Sequence, residues 1–295
     1  MFDQFDSRFV TVGDVRIHCR IGGAGPAVLL LHGYPQNHAM WAGVAERLAS
    51  RFTVVCADLR GYGESSKPAD ADDHSTYSFR AMAADQVGLM EALGHARFGV
   101  AGHDRGARVT HRMALDRPDR VQAMAVLDIA PTLYMYEHTD RRFASTYWLW
   151  FFLPLPAPMP EKLIGADPDF FFESALGRYG GTSLDGFDRE QLESYRRSWR
   201  DPAMIAASCA DYRAGASIDL EHDRADLDRR VDCPSLAMWA GDGLMAQHFD
   251  FERIWAQRCT QLQTASVSGG HFFPDHNPAD TARVLGDFFS RTLAR

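Results

Sequence analysis

Asp104 stands in the turn Gly102-His103-Asp104-Arg105-Gly106, between an apolar strand-like run (97–101) and a helix-like stretch (106–116). The pattern G-x-nucleophile-x-G between strand and helix is that of a nucleophile elbow. Its glycines allow a tight turn around a strained central residue. Backbone N–H groups and the helix dipole at such a turn favour an anion. A carboxylate there is already ionised at neutral pH and attacks an electrophilic carbon without a base. The product is an ester of the protein itself, so a second step needs a histidine to activate water.

His271 in Gly269-Gly270-His271-Phe272 fits that base, following the last apolar run of the chain. His276 lies nearby, beyond Pro274, and is the lesser candidate; His103, His111 and His222 read as structural or exposed. The base needs an orienting carboxylate. Asp128, in Leu127-Asp128-Ile129-Ala130-Pro131, and Asp242, in Trp239-Ala240-Gly241-Asp242-Gly243, both end strand-like runs, and spacing does not choose between them. The loop Leu31-His32-Gly33-Tyr34-Pro35 is placed to supply one oxyanion donor, the N–H of Tyr34, with the second from the N–H of Arg105 after the nucleophile. Arg105 and Arg108 are three apart and share a helix face, so both flank Asp104. Two guanidiniums can pin a substrate carboxylate by charge-assisted bonds; the competing reading pairs them with Asp116 or Asp119.

These residues must be held by a regular frame. Apolar runs at 27–31, 53–57, 97–101, 121–127, 235–239 and 261–267 read as buried parallel strands. Helix-like stretches at 41–50, 79–93, 106–116, 251–256 and 278–293 alternate with them, which predicts an α/β fold with a mostly parallel sheet flanked by helices. The alternation breaks after Leu133. An aromatic and proline-rich stretch with helical segments reads as an inserted helical cap, residues 133–219, between two parts of one core, 1–132 and 220–295. The 295 residues, 46% hydrophobic and 24% charged, suffice for such a core. A net charge of -8 argues against nucleic-acid or anionic-membrane partners, though two local arginines still suit a small anionic substrate. Five scattered cysteines without CxxC spacing predict neither a disulfide framework nor a zinc site. With a polar, acidic N-terminus and no apolar run long enough to span a bilayer, a cytoplasmic protein is expected. No metal ligand cluster or cofactor motif is seen, and neither is expected.

The sequence resembles the haloacetate (fluoroacetate) dehalogenases of the α/β-hydrolase superfamily over nearly its whole length. His32-Gly33-Tyr34-Pro35-Gln36 and Asp58-Leu59-Arg60-Gly61-Tyr62-Gly63-Glu64-Ser65 are shared with epoxide hydrolases and carry only the superfamily. His103-Asp104-Arg105-Gly106-Ala107-Arg108, Asp128-Ile129-Ala130-Pro131-Thr132, Pro156-Ala157-Pro158-Met159-Pro160-Glu161, Asp211-Tyr212-Arg213-Ala214-Gly215 and Gly270-His271-Phe272 are more specific. The resemblance implies the α/β-hydrolase fold, Asp128 rather than Asp242 as the acid, Arg105 and Arg108 on the substrate carboxylate, and a homodimer. It also implies a halide pocket of histidine, tryptophan and tyrosine. Trp150 and Tyr212 match the last two, but the histidine position reads Leu149. Leucine donates no hydrogen bond, and a buried fluoride suffers most from a missing donor. Chloro- or bromoacetate is therefore expected to turn over better than fluoroacetate. The rival reading is an epoxide hydrolase using the same Asp, His and acid, with Tyr147 and Tyr212 as proton donors; it gives no reason for the two arginines.

Overall fold

Runs such as 27–31 and 53–57 lack the polar–apolar alternation of a strand with one wet face, so both faces must be covered. The computed structural model, which describes residues 1–180 and 184–293, covers them. Its strands are β1 (Asp6–Val12), β2 (Val15–Gly23), β3 (Ala27–Leu31), β4 (Thr53–Ala57), β5 (Phe98–His103), β6 (Val121–Leu127), β7 (Ser235–Ala240) and β8 (Leu262–Val267). They form one sheet in the order β1-β2-β4-β3-β5-β6-β7-β8. From β4 to β8 every neighbouring pair is parallel, whereas β2 runs antiparallel to both β1 and β4. Strand β3 is buried along its whole length. Each such leucine contributes roughly 1.5–3 kcal/mol by leaving water.

The six runs read from sequence are the six parallel strands. The hairpin β1–β2 is not among them. Strand β1 sits at the sheet edge with most of its residues exposed, so it carries no apolar signal. In β2 the buried Val15, Ile17 and Cys19 follow the two-residue turn Gly13-Asp14, with Gly13 at φ 58°.

Helices α1 (Ala42–Leu48), α2 (Phe79–Ala92) and α3 (Arg105–Asp116) precede β6. Between β6 and β7 the described residues hold no strand. They form α4 (Thr132–Glu137), α5 (Arg141–Thr146), α6 (Leu149–Phe152), α7 (Met159–Ala166), α8 (Pro168–Gly180), α9 (Arg189–Trp199), α10 (Pro202–Gly215) and α11 (Ile218–Ala225). Capping explains where the longer ones start. Asp188 accepts from the N–H groups of Glu190 and Gln191, and Asp201, just before Pro202, accepts from Ala203. Helices α12 (Phe251–Ala256), α13 (Phe273–His276) and α14 (Pro278–Leu293) complete the chain. Helix α1 packs on α14 and α2 on α3, covering the sheet as two layers. Among the described residues, no helix is long and apolar enough to cross a membrane.

Candidate active site

Asp104 joins β5 to α3 at φ 47° and ψ -114°, a conformation that L-residues rarely adopt. The glycines around it are obligatory. A Cβ on Gly102 would strike the backbone of Gly106, one on Gly106 the carbonyls of Leu31 and His32, and one on Gly33 the side chain of Asp104. The strand-end loop can thus close on the nucleophile, and the N–H of Tyr34 donates to Asp104 Oδ1 at 2.9 Å. His32 braces that loop. Its Nδ1–H donates to Gly33 O at 3.0 Å and its Nε2 accepts from the N–H of Leu59 at 3.1 Å. Burial keeps this imidazole below the usual histidine range, in the neutral form this pattern requires. Burial alone would raise the Asp104 carboxyl, but the charges of His271 and Arg108 outweigh it and hold Asp104 below the ordinary carboxylate range.

His271 Nδ1 donates to Asp128 Oδ2 at 2.6 Å, and the other oxygen, Oδ1, accepts from the N–H of Ala240 at 3.0 Å. Asp128 itself has φ 56°, a second strained residue at a strand end. Burial works against the imidazolium, yet the Asp128 bond and the Asp128 and Asp104 charges raise His271 above the usual histidine value. Asp242 does a different job: it accepts from the N–H groups of Gly269 and Gly270, both at 3.2 Å, and so fixes the loop that carries the base. His276 faces away, bonded through Nδ1 to Gly269 O and packed on Phe187. His103, read only as structural, donates from Nε2 to the carbonyl of His271 at 2.8 Å, its rings 4.6 Å from those of the base. Burial pushes His103 down to about 3, so it is neutral.

These groups meet in a small cavity of about 30 Å³, on a scale where one water takes roughly 10–15 Å³. A small molecule fits this space and a polymer does not. Asp104, His271, Asp128, Tyr34 and Arg108 form its polar wall. Tyr147, Leu149, Trp150 and Tyr212, from the helical stretch, face them. Sequence reasoning missed the apolar contributors Met135, Ala175 and Met245, which no motif marks.

The two arginines are placed differently. Arg108 lines the cavity. Its Nη1 donates to Ala130 O at 3.1 Å and Thr132 Oγ1 at 2.9 Å, its Nη2 approaches Met135 Sδ at 3.2 Å, and its carbon lies 4.5 Å from the Trp150 ring centre. Burial brings it down to about 10, still cationic at neutral pH. Arg105 sits one layer back, outside the cavity wall among the described residues, between the rings of Phe79 and Tyr212 at 4.6 and 4.3 Å. Its Nε donates to Asp211 Oδ2 at 2.9 Å, and its Nη2 donates to both Asp211 O and Oδ1. Asp116 and Asp119 pair instead with Arg80, Arg112, Arg117 and Arg120.

The buried group His18, His38 and Asp58 has distances a metal ion would accept. Its ring nitrogens, however, bond the Asp58 carboxylate at 3.0 and 2.9 Å, and Asp58 also takes the N–H groups of His38 and Glu64. It ties β2 and β4 to the loop beyond Tyr34. The five cysteines are free thiols, four of them buried.

Residues 26–278 match a family described as alpha/beta hydrolase fold. The chain is 59% identical over 290 residues to a fluoroacetate dehalogenase of Burkholderia sp, covering 98% of this chain and 95% of that protein. It is 29% identical to a soluble epoxide hydrolase of Corynebacterium sp. (strain C12), over 95% of each. A solved structure from Nostoc sp PCC 7120, described as an alpha/beta hydrolase, superposes with a TM-score of 0.97 at 45% identity, over 98% of this chain and 99% of that one.

Proposed function

This chain belongs to the haloacetate dehalogenase family of the alpha/beta hydrolases and is a hydrolase of carbon–halide bonds; from that premise we propose how its site works and which substrates it prefers. The substrate is a small 2-haloacid, converted to a 2-hydroxy acid plus halide through an ester on Asp104. The carrying observation is the ionised Asp104 carboxylate, with one oxygen held by Tyr34 N–H, in a cavity it shares with the Arg108 guanidinium.

The held oxygen, Oδ1, is the one that becomes the ester carbonyl. Oδ2 attacks the α-carbon as the carbon–halogen bond breaks, and the electron pair of that bond leaves with the halide. Arg108, with Arg105 behind it, holds the substrate carboxylate so that this in-line approach is a proximity effect. The helical segment from α4 to α11 serves as a cap, with Trp150 and Tyr212 as halide donors and Leu149 beside them. His271, oriented by Asp128, then takes a proton from water, whose oxygen attacks the ester carbonyl. The negative charge develops on Oδ1, against the N–H groups of Tyr34 and Arg105. Collapse breaks the ester C–O bond; the departing alkoxide takes the proton held on His271 to give the hydroxy acid, and the new Asp104 carboxyl loses its proton to solvent, regenerating the carboxylate. No step calls for a metal or organic cofactor. A cytoplasmic homodimer belongs to the same reading, on the resemblance alone, and light scattering tests the assembly.

Halide release from fluoro-, chloro- and bromoacetate and 2-chloropropionate tests the substrate class. A single turnover in labelled water should put the label in Asp104 and not in the product. Label appearing first in the hydroxy acid would sink the ester route. A second reading, epoxide hydrolysis, draws on Tyr147 and Tyr212 facing Asp104. It predicts diol from styrene oxide and leaves the Arg108 guanidinium with no substrate anion to hold.

A further inference from the structure

Two guanidiniums beside one carboxylate nucleophile create a conflict. A guanidinium that pairs with Asp104 through charge-assisted bonds covers the oxygen that has to attack carbon. Among the described residues, neither guanidinium bonds to the Asp104 carboxylate. Arg108 is held off by Ala130, Thr132 and Met135. Arg105, the immediate neighbour of the nucleophile, is held off by Asp211 alone, from helix α10 on the far side of the cavity.

The grip is specific. Asp211 takes Nε and Nη2 of Arg105, and no acceptor for Nη1 is found among the described residues. Asp211 is fully buried, and its own orientation is set by the Tyr62 hydroxyl, which donates to Oδ2 at 2.6 Å. The next residue along α10 is Tyr212, whose ring lies 4.3 Å from the Arg105 carbon and also lines the cavity. One turn of one helix therefore carries both the counter-ion of Arg105 and a wall of the substrate site.

We propose that Asp211 is a positioning residue for the ester-forming step: it keeps Arg105 from capturing the nucleophile. This rests on the dehalogenase reading above. Removing the Asp211 charge frees a buried cation within electrostatic reach of two other buried carboxyls, Asp104 and Asp219; capture by Asp104 masks the nucleophile. A purely structural role makes a different prediction, because removing Arg105 as well would then add a second defect.

The test is rapid-quench chloride release from saturating chloroacetate by the wild type, Asp211→Asn, Arg105→Leu and the double variant, with circular dichroism to verify each fold. Asp211→Asn should slow the first-turnover burst about tenfold or more. The double variant should burst faster than Asp211→Asn, at a raised KM, because the freed Arg105 guanidinium is no longer there to mask Asp104. A wild-type burst rate in Asp211→Asn, or a double variant no faster than it, overturns the proposal. A wild type that releases no chloride overturns the dehalogenase reading instead. If Asp211→Asn does not fold, Tyr62→Phe carries the test: it leaves the ion pair but loosens its orientation. That variant should slow the burst several-fold with little change in KM, and an unchanged burst rate refutes the idea.

Discussion

The Nδ1 of His271 lies 2.6 Å from Asp128 Oδ2, while Asp242, at the end of the next strand, reaches only the backbone of Gly269 and Gly270. The two acids therefore fail differently. Asp128→Asn replaces an acceptor-only group with an amide that either donates or accepts at that position, and it removes the charge that supports an imidazolium. Steady-state turnover should fall by about 10²–10⁴, while a single stoichiometric burst of halide persists because Asp104 needs no base. Asp242→Asn should cost about tenfold or less, mainly by loosening the histidine loop. Burst and steady-state halide measurements on both variants decide it. Equal losses would reject Asp128 as the orienting acid.

The pH dependence should separate the two chemical steps. His271 is raised above the ordinary value of about 6.5, and part of that rise comes from the Asp104 charge. The base works only when neutral, so ester hydrolysis is lost as pH falls through the histidine's value. In the ester, Asp104 is uncharged and its share of the rise disappears. The acid limb of hydrolysis should therefore lie below the titration of His271 in the free enzyme, followed by NMR. The halide burst should stay level until Asp104 itself protonates, below the usual carboxylate range. Coincidence of the burst limb with the hydrolysis limb would contradict the assignment.

Asp104, His271 and the oxyanion loop were legible in the sequence because each must sit where a strand ends, and strand ends are marked by glycines after apolar runs. Asp128 and Asp242 share that grammar, so spacing did not tell them apart; the resemblance favoured Asp128, and Asp128 is the one bonded to His271. Strand β1 was not legible because an edge strand with most of its residues exposed carries too little apolar pattern. Asp211 illustrates a deeper limit. An acid on a helix looks the same whether it faces water or buries itself against an arginine far away in sequence. The i, i+3 spacing of Arg105 and Arg108 put both on one helix face, and the structure brings only Arg108 to the cavity wall. The spacing said nothing about the buried carboxylate that holds one of them back.

Leu149 is 2% exposed and faces the same cavity as Trp150 and Tyr212. In the proposed halide pocket it would add shape and no hydrogen-bond donor. The wild type should release chloride from chloroacetate faster than fluoride from fluoroacetate. Leu149→His adds one donor, worth about 1–2 kcal/mol to a developing anion. It should raise the fluoride-to-chloride rate ratio roughly tenfold. Ion-electrode rates on both substrates measure that ratio directly. No change in it would mean that leaving-group stabilisation comes from elsewhere.

Asp275, in α13, connects helix α9 to the loop after β3, and its charge should register in stability. Its carboxyl accepts from Gln36 Nε2 at 2.8 Å and from the Tyr195 hydroxyl at 2.7 Å. Burial pushes it up to about 7, and these two bonds lower it too little to restore an ordinary value. A carboxyl with a raised folded value binds its proton more tightly in the native state than in the unfolded chain. Its contribution to stability is full below the unfolded value near 4 and is lost as pH rises through about 7. Asp275→Asn cannot ionise, so it lacks this slope. Between pH 5 and pH 8 the wild type should lose roughly 2–3 kcal/mol relative to the variant. Urea unfolding of both proteins at the two pH values gives the difference, from which the remaining titrating groups largely cancel. A constant difference across that window would show that Asp275 is ionised throughout and that the Gln36–Tyr195 pair stabilises the charge after all.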